Sequence, residues 1–311
     1  MYFRLEQGFD SDNGDEKEAG TAFYRDSYMG VATPFGAMEF GRTGALTAGT
    51  HGGIVGAMSP FGITWKEGAL TKIFAGNIAA RLNNMVKYES PDLSGFKLYA
   101  QYSNGVDDDD VVSSQKNRYI AVGATYRYKN LRLIAAFDNL FYNDSAVKTD
   151  AGVAAGKDLK DQRTYNIGGT YDFGDVRMYL GYQYGQNIKT PRQGDAKAIA
   201  AAKYDSKDSK AAEGYDTNAV TLGTKIKLFG GELNGTLGYA HAKRDFNDSK
   251  ADVYQAMVGY KYPISKRTYA YGALGYIHGK SENTKLSKKV WKRTVERVNT
   301  RSMFMGLCHE F

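Results

Sequence analysis

Nowhere does this chain gather about eighteen consecutive apolar residues, yet again and again it alternates apolar and polar side chains for about ten residues at a time. A period of two belongs to a strand with two unlike faces, so helices that cross a membrane are excluded and half-buried strands are required. Strands read at 2–9, 21–32, 37–43, 79–90, 95–104, 117–128, 131–142, 163–173, 176–187, 217–228, 232–243, 252–262, 267–279 and 299–311, fourteen in all. Their connections alternate in length. Thr33-Pro-Phe-Gly36, Ser90–Gly95, Lys129-Asn130, Gly174-Asp175, Gly230-Gly231 and Pro263–Lys266 are short, whereas 10–20, 44–78, 105–116, 143–162, 188–216, 244–251 and 280–298 are long. Tight turns at one rim and long loops at the other predict an all-β fold, an antiparallel transmembrane β-barrel forming one domain over 1–311. The alternative is a soluble β-sandwich whose alternate residues fill a core.

The faces sort as a barrel requires. In the strand after Lys116, Ile120, Val122, Ala124, Tyr126 and Tyr128 share one face, and Tyr119, Ala121, Gly123, Thr125 and Arg127 the other. The apolar set is expected to meet lipid. Tyr128, Phe173, Tyr260, Tyr262 and Phe311 stand beside short turns or at the carboxy-terminus, where an aromatic girdle belongs. A mean hydropathy of −0.50 is no objection, because alternating strands dilute it.

Other classes fall away. The net charge of +7 comes from basic residues spread singly through strands, so nucleic acid is not an expected partner. One cysteine, Cys308, and four scattered histidines, 51, 241, 278 and 309, predict no disulfide, no metal site and no cofactor. No histidine has a persuasive Ser or Asp beside it, so no enzyme is expected. Met1–Phe9 has no apolar core and no small-residue cleavage site, so a signal peptide is expected to be absent.

Several stretches, taken in order, resemble one family. Phe3-Arg-Leu-Glu-Gln-Gly-Phe9, Arg25-Asp-Ser-Tyr-Met-Gly30, Phe40-Gly-Arg42, Arg81–Pro91 with Ser94-Gly-Phe96, Tyr262–Thr268 and Gly306–Phe311 are similar to the general diffusion porins of Gram-negative bacteria, most of all the neisserial and burkholderial type. That resemblance implies an outer-membrane homotrimer of sixteen-stranded barrels, passing small hydrophilic solutes and ions by passive diffusion. It also implies that Phe3–Phe9 stands where the family has its third strand, so an amino-terminal truncation lacking the signal peptide and two strands is expected. At the carboxy-terminus, Leu307, His309 and Phe311 match the assembly signal, although Cys308 and Glu310 stand where the family is basic.

By family position, 44–78 is expected to fold inward as the constriction loop. Arg42 and Arg81 match the arginine ladder that faces it, with Arg4 and Arg25 as further members. Within the loop, Glu67 is the only carboxylate, beside His51, Lys66 and Lys72. Arginines on one side and loop acids opposite would set up a transverse field, and the shortage of acids predicts weak anion preference. Lys87, Lys97, Arg127, Arg132, Arg177, Lys225, Lys227 and Lys261 against Glu89, Asp138 and Asp172 point the same way. Asp107–Asp110, Ala196–Ala212 and Lys280–Arg297 read as solvated outer loops near lipopolysaccharide. Two other functions stay open: a structural or adhesive barrel with a plugged lumen, and an outer-membrane barrel hydrolase.

Overall fold

The computed structural model describes residues 1–18, 20–48, 51, 53–63, 65–76, 81–106, 117–142, 160–188, 214–244, 248–287 and 290–310. They form one antiparallel sheet, each strand paired with the next in sequence. Its strands are β1 (Tyr2–Leu5), β2 (Ser27–Thr33), β3 (Gly36–Gly44), β4 (Arg81–Glu89), β5 (Phe96–Ser103), β6 (Arg118–Tyr128) and β7 (Leu131–Phe141). They continue as β8 (Gln162–Asp172), β9 (Val176–Ile188), β10 (Tyr215–Leu228), β11 (Gly231–Arg244), β12 (Ser249–Pro263), β13 (Thr268–Ser287) and β14 (Val290–His309). Among the described residues, β1 and β14 each have one neighbour and do not pair with each other.

Alternation places the faces as their chemistry demands. Ile167, Leu180, Leu222, Leu237, Leu274 and Met303 all point outward and stay exposed, an apolar band no water-facing sheet would carry. The residues between them point inward. Tight turns close the rim that the short connections predict; Phe229 and Gly230 both take positive φ, 50° and 76°, the geometry that matches the twist of a two-residue hairpin.

Four expectations need correction. β1 stops at Leu5 rather than residue 9, and β2 starts at Ser27 rather than 21; Glu6 N–H still donates to the Asp26 carbonyl at 2.8 Å, and beyond that bond the chain leaves the ladder for its connection. The segment 280–298 is not a loop: β13 and β14 run on, each 20 residues long, in unbroken register from Thr268↔His309 to Ser287↔Val290. Likewise β11 and β12 run into the predicted loop 244–251, since Arg244 pairs with Ser249. Asp107–Asp110, residues 196–212 and Phe311 lie outside the described residues.

One segment does not join the wall. Residues 45–76, which hold three short 3-10 turns at Val55–Met58, Lys66–Gly68 and Leu70–Lys72, supply much of the buried core. Leu46, Val55, Met58, Leu70, Ile73 and Phe74 are fully buried against inward residues of the sheet, among them Tyr119, Ile134, Val253 and Ile277. Burying a side chain of this size stabilises by about 1.5–3 kcal/mol, so the segment is held firmly.

Candidate functional site

The inner segment leaves the sheet after Gly44 and rejoins it at Arg81, both at the rim of the long connections. Between them it runs out and back along the inner wall, over a belt of glycines. A Cβ built on Gly123 would stand 2.9 Å from Leu46, one on Gly181 3.1 Å from Met58, and one on Gly223 2.4 Å from Pro60. Farther on, Trp65 packs edge-on to Tyr271 at 6.0 Å, and Glu67 lies over Gly275. On the return, Ile73 crosses Gly238, Phe74 crosses Gly181, and Gly76 reaches Thr164. Glycine serves here because it lets one piece of backbone approach another closely.

Polar wall residues fix this path. Asp138 is buried on β7 and accepts hydrogen bonds from Thr47 Oγ1 at 2.8 Å and from Tyr119 at 3.2 Å, with Thr164 as a third donor. Gln183 accepts from the backbone N–H of Ala75 at 2.6 Å, and Gln255 donates to the carbonyl of Ala69 at 2.8 Å. A buried polar group without a partner is costly, so each of these bonds selects one seat for the segment.

A charged patch gathers where β1 to β4 meet the long-connection rim. Arg81 Nε donates to Asp26 Oδ1 at 2.8 Å and its Nη2 to Glu6 at 3.4 Å. Arg25 Nε donates to Glu6 Oε1 at 2.5 Å, and Arg4 stands 3.6 Å from Asp26. Arg42 is aimed by a register shift between Gly41 and Thr43, donating to the carbonyl of Tyr24 at 2.6 Å and to Asn83 at 2.5 Å. Burial alone would raise the Glu6 carboxyl, but the hydrogen bond from Arg25 and the charge of Arg81 outweigh it and hold it below the usual range.

Next to this patch, Glu39 is a hub. Tyr2 donates to it at 2.9 Å, Lys87 at 3.1 Å, and His51 Nε2 lies 3.1 Å away. The His51 ring stacks on Tyr28 with centroids 4.8 Å apart, tying the start of the inner segment to the wall.

The arginines Arg4, Arg25, Arg42 and Arg81 thus stand together, with His51 close by. The remaining candidates do not join them. Glu67 is buried against Gly275 of β13, and Lys66 lies 4.8 Å above the ring of Phe304 on β14. Lys72 is half-buried in the last 3-10 turn. The acids facing these arginines are Glu6 and Asp26, at the two ends of the β1–β2 connection, and Glu67 of the inner segment is not among them. Leu307 points outward and is exposed, while His309 Nδ1 lies 2.8 Å from Thr268 across the last hairpin. Asp138, Gln183 and Gln255 were not singled out as anchors by the sequence, although polar residues between small inward neighbours are a readable signal.

The chain is similar to several known proteins. A profile of the Gram-negative porin family matches residues 1–282. An outer membrane porin protein of Bordetella pertussis is 28% identical over 288 residues, 87% of this chain and 71% of that protein. Outer membrane porin protein 32 of Delftia acidovorans is 27% identical over 205 residues, 66% of this chain and 48% of that protein. Among solved structures, the anion-selective porin from Comamonas acidovorans superposes with a TM-score of 0.63 at 22% identity, covering 99% of this chain and 84% of that one.

Proposed function

The chain belongs to the Gram-negative porin family, and from that premise we propose a water-filled outer-membrane channel for passive diffusion of small hydrophilic solutes and ions, narrowed by residues 45–76. Its location is the outer membrane of a Gram-negative bacterium, in keeping with the apolar outer band. One observation carries the reading: a segment is seated on the inner wall of a sheet whose outer face is apolar, which constricts the interior while the arginine patch stays at its edge.

Arg4, Arg25, Arg42 and Arg81 then line one side of the constriction. We read weak anion preference from what balances them. Glu67 is buried against β13, Asp26 is 1% exposed beneath Arg81, and Asp138 is occupied by hydroxyl donors, so few carboxylates are left to face the path. Arg4 and Arg25 are more exposed, with 47% and 37% of their side-chain surface free. Fixed guanidinium charge in a narrow, partly dehydrated space draws anions and repels cations. We further read the protein as a homotrimer without catalytic activity, with Leu307, His309 and Phe311 serving in assembly.

Planar-bilayer recording in a potassium chloride gradient tests this. Stepwise insertions with a reversal potential on the anion side are expected. Absence of steps would return the plugged-barrel reading, and clear cation selectivity would overturn the anion preference.

A further inference from the structure

Far from the Arg42–Arg81 patch, the inner wall carries two pairs of like charges placed directly across from one another. Arg127 of β6 is the register partner of Arg132 of β7, and Arg177 of β9 is the partner of Lys225 of β10. Like charges directly opposite on one face destabilise a sheet, and this wall does so twice within one short stretch. Arg177 is relieved by Asp172, whose Oδ2 accepts from its Nε at 3.0 Å, and Lys225 by Glu232 at 3.2 Å. No carboxylate of the described residues pairs with Arg127 or Arg132, and Arg132 Nε is buried without a hydrogen-bond acceptor.

Both pairs line one cavity of about 560 Å³ next to the short turns at 129–130 and 173–175, with Ser59, Pro60 and Gly62 of the inner segment over it. Five cationic side chains, Lys129 included, meet one carboxylate there, beside the hydroxyls of Thr170 and Tyr179. Such a volume suits a small metabolite rather than a bare ion. Guanidinium forks match the paired oxygens of carboxylate and phosphate, and a ligand with two or more anionic groups can neutralise both pairs at once, which chloride cannot.

We propose that this cavity is a binding site for small multivalent oxyanions at the short-turn mouth, separate from the arginines of the constriction. It rests on the channel reading only in that the anion reaches this rim through the bore.

The test is thermal unfolding of the folded, detergent-solubilised protein with sodium pyrophosphate or trisodium citrate, against sodium chloride at equal ionic strength. A saturable rise in the midpoint is expected from binding to the folded state. Arg127→Gln with Arg132→Gln should weaken that binding about tenfold or more. Its midpoint without ligand should not fall, since repulsion is removed. Should that variant fail to fold, Arg127→Lys with Arg132→Lys keeps the charge, loses the forks, and should still weaken binding. A response to pyrophosphate alone assigns phosphate esters, to citrate alone polycarboxylates, and to both a site that reads charge; all three sustain the proposal. Midpoints equal to those in sodium chloride, or affinity unchanged in the variants, overturn it. Since no current is measured, a silent channel would defeat the channel reading and leave this site standing.

Discussion

Thr47 and Asp138 are 91 residues apart in sequence, yet the threonine hydroxyl donates to the aspartate carboxylate at 2.8 Å, fastening the inner segment to β7 where it first turns inward. Asp138→Ala would leave Thr47 and the fully buried Tyr119 hydroxyl without this acceptor. Each such orphan costs about 1–3 kcal/mol, so the unfolding midpoint should fall clearly. Single-channel records should also become noisier as the segment loosens. An unchanged midpoint with quiet channels would refute the anchor.

Gly223→Ala places a methyl group 2.4 Å from the Pro60 ring, which has no flexible end to swing away. Overpacking of this kind costs about 1–3 kcal/mol. The segment should be pushed off the wall into the path, so conductance should drop along with stability. Gly174→Ala meets nothing within 4 Å but stands at φ 100°, where a side chain is strained, so it should lower stability at a tight turn while its conductance matches that of the native chain.

Arg81→Gln and Arg42→Gln each remove one positive charge but differ in what they expose. Arg81 covers Asp26, a carboxylate 1% exposed, whereas Arg42 bonds a carbonyl and an amide. Both should shift the reversal potential toward cations. Only Arg81→Gln should also lower stability markedly, by about 2–3 kcal/mol, less than the loss of a fully buried pair because Arg4 still stands 3.6 Å from Asp26. Equal midpoints for the two variants would contradict this division of roles.

Acid should act through Glu6. Its folded carboxyl titrates below the usual range, so the stability it contributes is complete above the unfolded value and is lost as pH falls through the folded one. Protonation removes a negative charge beside Arg25 and Arg81, and anion selectivity should rise over that acid window. In Glu6→Gln the rise should be absent, measured as reversal potential against pH.

Strand number, strand order and the outward apolar face were legible in the sequence because each rests on a period of two that no other element shares. Strand ends were less so. Glu6 and Asp26 look like strand residues by alternation and still share a backbone bond, but alternation does not show that their side chains pair with arginines from β1, β4 and the β1–β2 connection. Stretch 280–298 looked like a loop because its charges interrupt the apolar alternation that lipid imposes; a hairpin standing in water has no such constraint. The arginines of the patch are legible only through the family resemblance of the segments that hold them. Its acidic partners, and the seat of the segment on Gly123, Gly181 and Gly223, depend on which residues meet across the interior, which no local pattern encodes.

The last hairpin also gives the molecule a silhouette. Arms of 20 residues, rising about 3.3 Å per residue at a tilt near 40°, reach about 50 Å, roughly twice the height of the apolar band. β4 and β5, with 9 and 8 residues, barely span it. Among the described residues, this hairpin therefore stands tallest at the long-connection rim, a mast beside the mouth. Anything approaching from that rim would, among the described residues, touch Glu296 and Arg297, both exposed, well before Arg42.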